Sequence, residues 1–198
     1  LEGHPDLRAG VLLQVADAYT SMGLPARAAP LYGQAIADLK GEAASGMTLA
    51  QALDRGALAA YWNGEFRQAQ QWADEAAALA VGDDVDSANV RHGVYFTRWQ
   101  MYRSQGRHED CYRVAQQSVE DAQRLAGPAS AALLQRSLVR RGTSATDLRR
   151  YDEAERDLLE AVAMARRAQG EMHPETLKAQ QALGWHYVLR GEPERGLA

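Results

Sequence analysis

The sequence is poor in the residues that build sheets. It has one isoleucine, two phenylalanines and eleven valines in 198 residues, too few β-branched and aromatic side chains for an ordinary β-core. Cysteine is nearly absent: a lone Cys111 excludes an internal disulfide framework and a cysteine-based zinc site, and fits a reducing cytoplasm. Long apolar runs are missing, the longest being Ala76–Val81, far short of the roughly 20 residues of a membrane span. Charge of one sign is missing too. The formal net charge is −4, which excludes a globally basic nucleic-acid footprint and a strong pull to anionic membranes. Lysine is scarce, 20 of the 22 basic residues being arginine. No initiator methionine or signal peptide is visible, so Leu1-Glu2-Gly3-His4 reads as the interior of a longer protein.

What is there is alanine, 37 residues of it, the strongest helix former. With the arginine bias it points to a bacterial, GC-rich coding sequence. Self-comparison then sets the architecture. Five stretches align: Tyr19 to Ala28, Ala60 to Ala69, Tyr102 to Cys111, Ala145 to Ala154 and Tyr187 to Gly196. Each runs from Tyr or Ala over four residues to a turn glycine (Arg149 in the fourth), then over five to a small residue. The turn positions 23, 64, 106, 149 and 191 are 41, 42, 43 and 42 residues apart. This is a helix–turn–helix unit. The glycine supplies a positive φ at the end of the first helix, and the small residue lets the second approach it. Apolar residues recur at helical spacing, as in Leu31, Ala35 and Leu39.

The pattern resembles the tetratricopeptide repeat family, in its longer, kinesin-light-chain-like variety. Leu12, Val15, Ala16, Tyr19, Gly23, Ala28, Tyr32 and Ala35 stand at signature positions, and Ala28-Ala29-Pro30-Leu31-Tyr32 is similar to that variety's small-x-Pro-Leu-Tyr. Gly170-Glu-Met-His173-Pro174-Glu-Thr-Leu177 resembles its connector, with His4-Pro5-Asp6 a second copy. The resemblance implies an all-α, right-handed α-solenoid of antiparallel helix pairs. It implies one domain over 1–198, with repeats at about 6–42, 47–81, 87–126, 130–169 and a truncated 175–198. Helices are expected at about 6–22, 25–41, 47–63, 66–80, 87–105, 108–126, 130–148, 151–169, 175–190 and from 193 onward. The chain departs from the pattern at Trp99, where a small residue is usual, at Arg98 and Arg141, where Leu is usual, and at Arg149. These departures predict shifted helix packing in the third and fourth repeats.

Catalytic signatures are lacking: no phosphate-binding glycine loop, no H-E-x-x-H, no G-x-S-x-G. Residues 107–111 gather His, Glu, Asp and Cys, but adjacent helical residues diverge and cannot share an ion. Asp83, Asp84 and Asp86 read as a helix N-cap rather than a calcium loop. The expectation is therefore no enzyme activity in this segment, no cofactor and no metal.

In the resembled family the first helices line a concave groove. Carried over by the turn residue, its inward stripe gives Leu13, Asp17 and Thr20; Gln51, Asp54, Leu58 and Tyr61, with Trp62 adjacent; Phe96, Gln100 and Arg103; Arg136, Val139, Thr143 and Thr146; and Lys178, Gln181, Trp185 and Val188. Aromatics and arginines are the residues that most often carry binding energy. Inter-helix packing claims a given aromatic about as often. Leu13, Asp17 and Asp54 stand where a carboxylate clamp would need Lys and Asn. The expected function is a protein- or peptide-binding scaffold; the alternative is a self-association module, a homodimer contact. The opening residues look like the repeat region that follows a bacterial Ser/Thr protein kinase or a winged-helix regulator, so the expected setting is cytoplasmic signalling, with no nucleic acid or membrane as partner.

Overall fold

A computed structural model describes residues 5–41 and 46–196. His4 of the second connector copy and the two terminal residues of the fifth repeat lie outside these. Among the described residues nine α-helices run in order: α1 Pro5–Ser21, α2 Pro25–Gly41, α3 Gly46–Trp62, α4 Phe66–Leu79, α5 Val85–Ser104, α6 His108–Arg124, α7 Pro128–Asp147, α8 Tyr151–Gln169 and α9 Pro174–Arg190. A 3₁₀ turn, Pro193–Gly196, follows. No strand occurs among the described residues. The fold is all-α, built as successive helix pairs. The expected second helix of the fifth pair is present over the described residues as that 3₁₀ turn.

The repeated turn has a single construction. The N–H of the residue after the turn position donates to the carbonyl four residues before that position. The bonds are Leu24 to Tyr19, Glu65 to Ala60, Arg107 to Tyr102, Arg150 to Ala145 and Glu192 to Tyr187, at 2.8–2.9 Å. The turn residue's own N–H reaches back three residues, as Gly23 to Thr20 at 3.0 Å. This is the 6→1 plus 5→2 pattern that closes a helix over a left-handed residue. The Tyr/Ala-to-Gly spacing in the sequence is thus the spacing of one hydrogen bond. Arg149 adopts the same conformation without being glycine, at φ 60°.

The chain divides between Met101 and Tyr102, within α5, into two compact units. In the first, the core is mostly alanine around Tyr32, Ile36, Leu53 and Trp72, joined by Val90, Val94 and Met101 of α5. In the second, Val119, Leu138, Ala161, Val162 and Ala179 pack together, and Leu158 is fully buried. The small positions Ala28, Ala69, Cys111 and Ala154 are all buried, as the helix–helix approach requires. Burial pushes the Cys111 thiol up to about 11, so it stays protonated and inert.

At two of the departures from the repeat pattern the arginine is held by an ion pair. Arg98 Nη2 reaches Asp74 of α4 at 2.7 Å. Arg141 clamps the buried Asp157 of α8 with Nε and Nη2 at 2.6 and 2.7 Å, and its Nη1 donates to Gln116 of α6 at 2.7 Å. Trp99 is buried and stacks on Phe96, centroids 6.4 Å apart. No described helix is long and apolar enough to cross a membrane.

Candidate functional site

The inward stripe falls on α1, α3 and α5 in the first unit. There its polar members are engaged in holding helices together. Asp17 Oδ1 accepts the Tyr32 hydroxyl of α2, and its Oδ2 accepts Arg55 Nη1 of α3 at 2.7 Å. Burial, followed by that carboxylate acceptor, holds the Tyr32 phenol well above its usual range. Thr20 Oγ1 donates to the Ala16 carbonyl and lies 3.5 Å from the Tyr32 hydroxyl. One carboxylate thereby ties three helices.

Asp54 sits against the backbone of α5 at Gly93, where any Cβ would collide with its carboxylate. Tyr61 crosses to α5 as well: its hydroxyl donates to the Gln100 carbonyl at 3.1 Å, and its ring meets Phe66 edge-on at 5.8 Å. Phe96 is half-buried on Trp99. Trp62, one residue off the stripe, is exposed at 44%. The sequence reading missed Arg55, Tyr32 and Gly93 as members of this arrangement. Gly93 was findable, because it occupies the first stripe position of the third repeat.

In the second unit the stripe lies on α7 and α9, after Arg103 at the exposed end of α5. It is more open. Arg136 is exposed, and its Nε makes a long bond to the Ala132 carbonyl of its own helix, 3.3 Å; no carboxylate among the described residues pairs with it. Thr143 Oγ1 donates to the Val139 carbonyl at 2.8 Å, leaving its lone pairs to accept. On α9, Lys178 pairs with Glu175 one turn away, at 2.7 Å. Gln181 is exposed, and Trp185 is 54% exposed with Val188 beyond it at 47%. A tryptophan ring turned this far toward water has an apolar face with no protein covering it.

Behind this surface lies a polar contact that the sequence did not disclose. His186 is fully buried. The Thr146 hydroxyl donates to the Gly142 carbonyl and lies 2.9 Å from His186 Nδ1. With that proton so used, Nδ1–H is the donor to Thr146, and Nε2, which has no partner among the described residues, carries the free lone pair. Burial lowers the imidazole's pKa below its usual value. Tyr151 and Tyr187 meet the ring edge-on at 5.9 and 5.4 Å.

Other candidates are structural. Asp84 caps α5, accepting Ser87 N and Oγ at 2.9 and 2.7 Å, and those bonds hold its carboxyl below the usual range. His173 caps α9 by accepting Glu175 N–H at 3.2 Å. No cluster of three or more metal-ligating side chains occurs among the described residues.

Comparison with known proteins agrees with this geometry. Residues 133–195 match the family model described as Tetratricopeptide repeat. No curated protein matches the chain. Among solved structures, it is similar to the nearly identical TPR-like repeats of a Podosopora anserina protein described as a kinesin light chain. The TM-score is 0.71 at 19% identity, over 98% of this chain and 92% of that one. BtubC from P. vanneervenii gives 0.72 at 17% identity, over 96% and 77%. The apo form of RapI gives 0.75 at 14%, over 96% of this chain and 51% of that one. At these identities the likeness establishes the fold: repeat helix pairs of the tetratricopeptide type.

Proposed function

We propose that this protein is a non-catalytic scaffold that binds a protein segment or peptide along its first-helix faces, and that the stripe on α7 and α9 is the principal contact. The observation that carries this reading is Trp185, half out of water between Gln181 and Val188. A monomeric protein gains little from leaving such a side chain exposed, and tryptophan is the residue most enriched among binding hot spots. Arg136 and Lys178 stand at the same register position of α7 and α9, and no stripe position on these helices is acidic. The ligand that suits this chemistry is a peptide pairing an acidic side chain with an apolar one. The first-unit stripe contributes less, since Asp17 and Tyr61 already hold helices together. The charge distribution agrees: residues 1–99 carry 7 basic and 12 acidic side chains, residues 100–198 carry 15 and 14.

The setting that fits a repeat scaffold with this opening sequence is the regulatory or partner-recruiting part of a bacterial cytoplasmic signalling protein. Selection of binders from a random peptide library, followed by hydrogen-exchange mapping of the bound chain, tests the site. Protection confined to α7 and α9 is the expected outcome. Protection elsewhere, with these helices unchanged, would overturn it.

A further inference from the structure

Two connectors between helix pairs carry the most exposed large apolar side chains among the described residues. They are Val81, 81% exposed, between α4 and α5, and Met172, 80% exposed, between α8 and α9. Both stand beside acidic residues, but the acids differ in what they meet. Beside Met172, Glu171 pairs with Arg166 at 2.8 Å and Glu175 with Lys178 at 2.7 Å. Beside Val81, Asp83 and Asp86 are exposed, and no cation among the described residues pairs with either. Val85, between them, is exposed as well. Residues 81–86 therefore present two aliphatic side chains and two unpaired carboxylates to water.

This segment is already shaped. Arg91 Nη1 donates to the Ala80 and Gly82 carbonyls at 2.8 and 2.5 Å, and Asp84 is taken up by Ser87. A loop fixed in advance loses little freedom when it docks. Its chemistry is the complement of the α7 and α9 stripe. There Arg136 has no carboxylate partner among the described residues, no stripe position is acidic, and Trp185 and Val188 are open to water. The connector belongs to the first compact unit and the stripe on α7 and α9 to the second. One unit thus carries the carboxylate beside an aliphatic group that suits the stripe on the other.

We infer that the occupant of the α7 and α9 stripe is the 81–86 connector of a second copy of this chain; the inference rests on the reading of that stripe as a peptide-binding surface. Val81 seats on the Trp185 ring beside Val188, and the Asp83 and Asp86 carboxylates meet Arg136 and Lys178. The two surfaces are different, so the contact is heterologous, and a pair of copies keeps one connector and one stripe free. Association therefore continues as concentration rises. Because the charges are exposed, it weakens with added salt.

Sedimentation equilibrium of the full chain tests this. A contact of this size is weak, so self-association with a dissociation constant of about 10–100 μM is expected. Val81→Ser/Asp83→Lys, on an exposed loop, and Arg136→Glu/Trp185→Ala, on an exposed helix face, should each weaken it by about tenfold or more, with circular dichroism unchanged. An equimolar mixture of the two variants should pair again, because each keeps the half that the other has lost. A wild type that stays monomeric up to about 1 mM, either double variant associating like wild type, or a mixture that stays monomeric would overturn the inference. A library-selected peptide separates that failure from failure of the underlying reading. Capture on α7 and α9 of wild type and of Val81→Ser/Asp83→Lys, without self-association, removes the second copy as occupant and leaves the stripe a peptide site. Capture elsewhere on the chain removes both.

Discussion

Arg149 shows how a single residue can keep a fold while straining it. Its φ of 60° lies in the region that L-residues other than Asn and Asp seldom enter, yet the turn makes both of its hydrogen bonds. The turn at this repeat thus keeps the construction of the others; the cost is local. Arg149→Gly should stabilise the protein by about 0.5–1 kcal/mol, the relief of strain outweighing the added freedom of the unfolded chain. A rise of a few degrees in the thermal midpoint checks this; a fall would show that the arginine side chain contributes more than the strain removes.

His186 supplies a pH dependence at the same scale. Its folded pKa lies below that of the unfolded chain because burial disfavours the imidazolium. The groups around it balance: Glu155 and Glu192 favour the charged form, Arg190 and Arg195 oppose it. Near and below the ordinary histidine value the unfolded state binds the extra proton, so stability is full above about pH 6.5 and falls as the pH drops through it. The thermal midpoint should decline on acidification through this range, and His186→Leu should flatten that part of the curve. A wild-type curve flat from neutral to pH 5 would contradict the lowered imidazole pKa.

At the scale of elements, α7 and α8 are joined by charge. Arg141 is pinned between Asp157 and Gln116, and its acidic partner is buried. Arg141→Met leaves that carboxylate alone and should cost about 3 kcal/mol or more. Arg141→Met combined with Asp157→Leu should recover most of the loss, because an apolar pair needs no desolvated charge. Urea unfolding of the single and double variants measures both, and a double variant no better than the single would show that the pair is irreplaceable.

Elements are also where the sequence was most readable. The turn register located the ends of α1, α3, α5, α7 and α9, because each of these boundaries is a hydrogen bond written into the Tyr/Ala-to-Gly spacing. What could not be read was which stripe side chains are occupied. Asp17 and Arg55, or Thr146 and His186, are 38 and 40 residues apart, and they meet through the pairing of neighbouring repeats. Periodicity gives the face a residue occupies, not the partner that meets it. Asp17 and Trp185 looked alike in register and differ only in what reaches them.

For the whole molecule, the alanine content and the near absence of isoleucine have one explanation. A chain of helix pairs buries each face against its neighbours, and the closest approaches accept little more than a methyl group, as at Ala28, Ala57, Ala69 and Ala154, all fully buried. Core volume is traded for close contact, leaving aromatic and basic side chains of α7 and α9 available at the surface. The central claim is that this surface binds. Its most direct test is the affinity of one library-selected acidic–apolar peptide for wild type and for the Arg136→Glu/Trp185→Ala double variant, measured by anisotropy with circular dichroism alongside. The account predicts a loss of about 100-fold or more with helicity unchanged. Equal affinity in the two proteins would contradict it.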